Sequence, residues 1–240
     1  EIVGRQHLKD IDDALLNLRK FHNTNTLPWG ENGDRILPVT NFDNYKNEME
    51  KLMNVYNDNV QKFIVIYPTL KEQAKTILNG LYNEDDYPED ISSKFGVRIK
   101  YFPIPNPKDF RINLSDEDME AISGNLQSTL SARLEDAVDD VWVRIKNVLE
   151  RMIERLKDPD NSFKESLVTN VSDLVRLIPF LNFDNDPKLE SVCNEMKALL
   201  QDPNILRNNQ KIRKITCKKA NGILESIQTF GVLGKRKLSL

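Results

Sequence analysis

Cysteine and histidine are scarce in this chain. Cys193 and Cys217 are its only thiols and His7 and His22 its only imidazoles. Two cysteines are too few for a disulfide framework, and 24 residues apart they are no CxxC pair. Both fall inside amphipathic helical patterns, where a thiol packs as a small apolar group. The two histidines lie in a polar N-terminal stretch with no third ligand at metal spacing. They read as solvated surface residues, and zinc or a Ser-His or Cys-His nucleophile is excluded.

Glycine is equally sparse, nine in 240 residues, while 30% of residues are charged, a balance that speaks against strand-and-turn sandwiches and for helices. No apolar run approaches the roughly 20 residues a bilayer-spanning helix needs, and no segment reads as a secretory signal. The expectation is a soluble protein of the cytoplasm, with no membrane partner. "GVLGKRK" near the end lacks the spacing and the preceding strand of a phosphate loop. The acidic run Glu84, Asp85, Asp86, Glu89, Asp90 lacks the glycine and regular spacing of a calcium loop and reads as solvated. Pro159-Asp160 followed by Asp186-Pro187-Lys188 imitates the acids and lysine of a metal-dependent nuclease. These residues stand at helix starts, however, where Asp before Pro or Ser caps the helix. Neither metal nor cofactor is expected, and no catalytic residue is assigned.

What the chain does have is apolar periodicity. From Phe42 to Tyr67 apolar residues recur every three or four positions, and Pro68 predicts the end of that helix, with a second from Leu70 to Leu81. Val97, Ile99 and Tyr101, then Phe110, Ile112 and Leu114, alternate with polar residues around "PIPNPKD", which predicts a β-hairpin over about 95–114. Ser115 and Asp118 open a helix of about 40 residues to Leu156, on the order of 60 Å. Its middle, Val141, Trp142 and Ile145, is expected to pack on the helix after Phe42. Ser162 and Glu165 announce another helix, Asp186-Pro187 one through Leu200, and a last runs from about Arg207 to Phe230. The fold class is therefore mainly α, a bundle of long helices with one small hairpin. The suggested division is an N-terminal helical segment 1–26, a bundle 27–206, and a basic helix and tail 207–240.

Charge marks the last of these. From Arg207 to Leu240 nine basic residues face the single acid Glu225, a balance of +8; the total of −3 then leaves −11 on the first 206 residues. Arg207, Lys211, Lys214 and Lys218 recur at four, three and four, one helical face beside an apolar stripe of Ile212, Ala220, Ile223, Leu224 and Ile227. Two readings stay open. One is a solvated face that compensates an acidic body; the other is a dock for phosphates or for an acidic partner.

The stretch "TLPWGENGDRILPV" is the other unusual feature. Asn32-Gly33 suits a tight turn and Pro28 and Pro38 stiffen its flanks. Trp29 is expected to fold back on a neighbouring helix, with Asp34 and Arg35 pairing to groups on it. The competing reading makes Trp29 and Arg35 an interface loop.

Three passages, "LPWGENGDRILPV", "LYNEDDYPEDISSKFGVRIKYFPIPNPKDFRINLSDEDME" and "DDVWVRIKNVLERMIERLKDP", resemble a family of phage and bacterial proteins, domain-of-unknown-function family 3150. The shared features are Trp29 in its turn, Tyr87-Pro88, Phe102 to Pro105, Asp109 to Arg111, Trp142 and Arg151 to Leu156, over about Leu27 to Leu200. The resemblance implies a helical, often phage-encoded protein near AAA-type ATPases, in the host cytoplasm, and carries no activity. With every catalytic constellation missing, the expected function is non-enzymatic binding of a protein partner, an AAA-type ATPase or a host enzyme. The alternatives are an accessory protein of phage DNA metabolism, binding nucleic acid without sequence preference through the basic helix, or an inhibitor or adaptor of a host enzyme. A metal-dependent hydrolase comes last.

Overall fold

A computed structural model of the protein describes residues 4–30, 32–105 and 115–229. The chain divides into two compact units, one from residues 4–24 and 43–104, the other from 25–42 and the described residues from 105 on. These units cut across the division that charge and motifs suggested, because the N-terminal helix shares its unit with the segment that begins at 43.

In the first unit α1 (Lys9–Asn25, its last residue already in the other unit) runs antiparallel to α2 (Phe42–Leu78). The direction follows from two bonds: His22 Nδ1 meets the Tyr45 hydroxyl at 2.8 Å, and Asn59 Nδ2 donates to the Asp10 carbonyl at 3.0 Å. Ile11, Ala14 and Leu18 are buried on α1, as are Tyr45, Met49, Tyr56, Val60, Phe63 and Tyr67 on α2, each set at helical spacing. His22 is thus a half-buried partner of Tyr45 and not the solvated residue that composition suggested.

Helix α2 also passes straight through Pro68 to Leu78. A proline removes one backbone donor and crowds the turn before it, but Tyr67 is buried beside Phe63, with ring centroids 5.9 Å apart, and that packing holds the helix through the break. Beyond α2 the chain makes three single turns, Asn79–Leu81, Glu84–Asp86 and Ser92–Lys94. Tyr82 stacks on Tyr87 at 4.9 Å and Phe95 meets Phe63 edge-on at 5.5 Å, so this stretch is pinned by aromatic contacts.

The hairpin expected over about 95–114 is not found in the part the structure describes. Residues 96–105 carry no strand, and 106–114 lie outside the described residues. Phe95, Val97 and Ile99 do alternate in exposure with Gly96, Arg98 and Lys100, so the period of two is present in burial while no backbone ladder accompanies it. The two-stranded sheet lies instead at the tryptophan turn, where β1 (Leu27–Pro28) pairs antiparallel with β2 (Arg35–Ile36), Leu27 opposite Ile36.

The second unit is built on α3 (Asp116–Lys157), 42 residues long and capped by Ser115, whose hydroxyl accepts from the Asp118 N–H. Its first turns are largely exposed, and full burial begins at Leu130. There follow α4 (Ser166–Leu181), α5 (Pro187–Lys197), α6 (Pro203–Asn208) and α7 (Gln210–Thr229). Helix α4 begins without a side-chain cap, so Ser162 and Glu165 do not act as the pattern suggested, and it runs two residues past Pro179. Asp186 and Asp202 cap α5 and α6, each directly before a proline in the first turn.

Helix α3 packs on α7, α4 and β1. Trp142, Ile145, Leu149 and Met152 are completely enclosed, in one cluster with Leu27 of β1, Val171 and Ile178 of α4, Val192 of α5 and Ala220 of α7. The core around Trp142 thus comes from β1 and the helices after α3, where the sequence suggested the helix that starts at Phe42. The apolar face of α2 closes on α1 and on the aromatic turns instead.

Replacing Trp142 by alanine leaves a large void among side chains that cannot collapse into it. The expected loss is about 3 to 5 kcal/mol in a denaturant titration. A loss below about 1 kcal/mol would mean that Trp142 does not sit in this core.

Candidate functional site

Each sequence-predicted site is decided by where its donors and charges go. In the tryptophan turn the Trp29 N–H donates to the Asp34 carbonyl at 2.9 Å, and Gly30 and Gly33 take positive φ, 94° and 78°. At Gly30 a side chain would meet a second obstacle, since a Cβ there would stand 3.3 Å from the Arg133 guanidinium carbon. That guanidinium lies 6.0 Å from the centre of the half-buried Trp29 ring, which ties the turn to α3. Arg35 is engaged within its own hairpin. Its Nε donates to the Thr26 hydroxyl at 2.6 Å and its Nη2 to the Thr26 carbonyl at 2.8 Å, both within its own hairpin. Arg144 of α3 donates to the same carbonyl at 2.8 Å while bridging to Asp140 at 2.7 Å. These bonds are those of a clasp that seats Leu27 in the core.

The acids of the nuclease-like pattern stand at a helix cap and a turn. Asp186 accepts the Lys188 N–H at 2.9 Å as the cap of α5, and Asp160 lies in the turn after α3, its N–H donating to the Asp158 carboxylate at 3.0 Å. Among the described residues no three His, Cys, Asp or Glu are grouped so as to hold a metal ion. In the acidic run Glu84 pairs with Lys71 at 3.3 Å, and Asp90 accepts both the hydroxyl and the N–H of Ser92, bonds that hold its carboxyl below the usual range. Burial pushes both thiols above their ordinary value; Cys193 Sγ donates to the Val175 carbonyl at 3.4 Å. Burial likewise raises the Tyr67 phenol, against the lowering charge of Lys71.

The basic end is rearranged. The helix expected from Arg207 to Phe230 is two helices. Asp202 starts α6, and Asn209 interrupts the helix and accepts the Ile212 N–H at 3.1 Å to start α7. Arg207 therefore leaves the lysine ridge: it donates to Asn204 Oδ1 at 3.0 Å and to the Phe163 carbonyl at 3.2 Å, with its guanidinium 5.3 Å from the Phe163 ring centre. Lys211, Lys214 and Lys218 stay together on the outer face of α7 and are exposed, joined by exposed Lys219. Ion pairs among the described residues join Lys51 to Glu48, Lys71 to Glu84, Arg144 to Asp140 and Lys146 to Glu150; none involves these four lysines.

Arg213, which the sequence reading counted only as charge, is buried at 4% exposure. It donates to the carbonyls of Leu156 at 3.2 Å, Arg155 at 2.7 Å and Asn161 at 2.8 Å, and to that of Asp158. It closes the carboxyl end of α3, where the helix dipole is negative. The signal was present in the spacing, since Arg213, Thr216, Ala220, Ile223 and Ile227 form one buried stripe at three and four. Ile215 was also passed over: it is 45% exposed and sits among the lysines.

No family model, curated protein or solved structure matches this chain. The resemblance to family 3150 rests on the motif residues quoted above.

Arg213→Ala strands several buried carbonyls and should lower stability by about 3 kcal/mol or more. Arg213→Lys should recover only part of that, because a single ammonium cannot reproduce the guanidinium fork. Chemical denaturation of both variants is the check. A near-neutral Arg213→Ala would remove the cap from its central place. The two thiols should also stay inert in the native state, with iodoacetamide labelling far slower than for the unfolded chain.

Proposed function

We propose that this chain acts by binding, not by catalysis, and that the lysine face of α7 is where a negatively charged partner docks. The observation that carries this reading is the set of four exposed lysines that form no ion pair among the described residues, on a chain whose first 206 residues hold −11. Left in water on one face, they raise the local concentration of an anionic partner and speed its encounter.

The favoured partner is a protein, with the chain as an adaptor or inhibitor of an enzyme. Its phage origin and its place beside an AAA-type ATPase or host enzyme follow from the family resemblance and stand or fall with it. The hydrolase reading ranks last, because Asp186 is occupied as a helix cap. None of the described helices is long and apolar enough to cross a membrane.

The test is charge reversal. Lys211→Glu with Lys214→Glu should abolish capture of the partner from lysate while leaving the melting temperature unchanged, since both side chains are exposed. Capture unaffected by the double variant would exclude α7 as the dock. For the second reading, nucleic acid, Arg207 no longer counts. If Lys211, Lys214 and Lys218 each neutralise one phosphate, log K should fall with log salt at a slope of about −2.7 on duplex DNA and about −2.1 on a single strand. Turnover of nucleotide or DNA lost in Asp160→Ala or Asp186→Ala would overturn the non-enzymatic reading.

A further inference from the structure

The outer face of α7 carries more than charge. Lys211, Lys218 and Lys219 stand at positions −4, +3 and +4 from Ile215, its neighbours on the helix surface, and Lys214 directly precedes it. Ile215 is 45% exposed inside this ring. Two turns further on, Gly222 has nothing within 4 Å of where a side chain would begin, so that face is flat there. Glu225, on the same side of the helix, accepts from Asn221 at 2.7 Å, outside the lysine ring.

Resting on the binding role just proposed, we infer that the occupant of this face is an acidic protein segment with an apolar side chain among its acids, and that Ile215 receives that side chain. Charge complementarity sets the sign of the partner. The lysine stems, which cover apolar surface while their ammonium groups stay in water, make a partly apolar floor around Ile215. A nucleic-acid backbone would use the lysines and leave Ile215 idle, and no aromatic residue lies within Gln210–Thr229 to stack a base. A second copy of this face is excluded by the repulsion of four lysines against four. The apolar centre supplies affinity that salt does not screen, and the lysines supply rate and orientation.

The experiment uses the full chain and labelled, end-capped peptides of about 14 residues in about 150 mM salt. One peptide carries leucine with glutamate four and one positions before it and three and four after it, in alanine; the other has serine for the leucine. Fluorescence anisotropy should show the leucine peptide binding about tenfold tighter than the serine peptide. Ile215→Ser should erase that difference, Ile215→Leu should keep it, and Lys211→Glu with Lys214→Glu should remove both interactions. Circular dichroism confirms that each variant is folded. Equal affinity for the two peptides, or a preference that survives Ile215→Ser, overturns the inference. Binding of single-stranded oligothymidine with neither peptide bound also overturns it, while leaving the lysine face as an anion dock. Failure to bind peptides and oligonucleotide alike overturns both this inference and the reading it rests on.

Discussion

The second unit depends on one buried cation. Arg213 reaches from the first turn of α7 into the carboxyl end of α3 and fills the carbonyls that the end of a long helix leaves without partners. A guanidinium at 4% exposure without a carboxylate would ordinarily be costly. Here its charge meets the negative end of the α3 dipole and several oriented carbonyls, which replace the lost water. The consequence is orientational. With Arg213, Thr216, Ala220, Ile223 and Ile227 turned inward, the opposite side of α7 has to face solvent, and that side holds the lysines and Ile215. The buried arginine and the exposed lysines are two outcomes of one helix rotation.

The same logic of dividing donors among few acceptors ties α3 to the tryptophan turn. The Thr26 carbonyl receives Arg35 from the hairpin and Arg144 from the helix, so one backbone oxygen joins the tryptophan turn to the core. Leu27, next in sequence, is completely enclosed. Guanidinium groups do this because their planar, rigid forks offer several donors from one side chain. Arg207, Arg213, Arg35 and Arg144 are engaged in such bonds, whereas the lysines of α7, flexible point charges, are exposed.

Asp186 is committed to a cap, Asp90 to a turn and Cys193 to the core. On the outer face of α7 the exposed lysines stand beside Ile215, which is 45% exposed.

Much of the fold was legible in the sequence because helices write their apolar face at a period of three or four. The long helix from Ser115, the caps at Asp186 and the enclosure of Trp142 all followed from spacing and local hydrogen bonding. Lys211, Lys214 and Lys218 could be placed on one face for the same reason. What spacing could not express was which surfaces meet. Pro68 reads as a stop, yet the packing of Tyr67 and Phe63 carries α2 through it. Val97, Ile99 and Tyr101 read as a strand, but a strand needs a partner ladder, and none is found among the described residues. The sequence by itself determined a mainly helical protein with a basic, amphipathic end, since these are local properties of the chain. Tertiary structure alone decided that Arg213 turns inward, that Arg207 leaves the ridge and that Ile215 stays outside, because each depends on a carbonyl or ring brought from about 40 to 60 positions away, a distance no periodicity encodes.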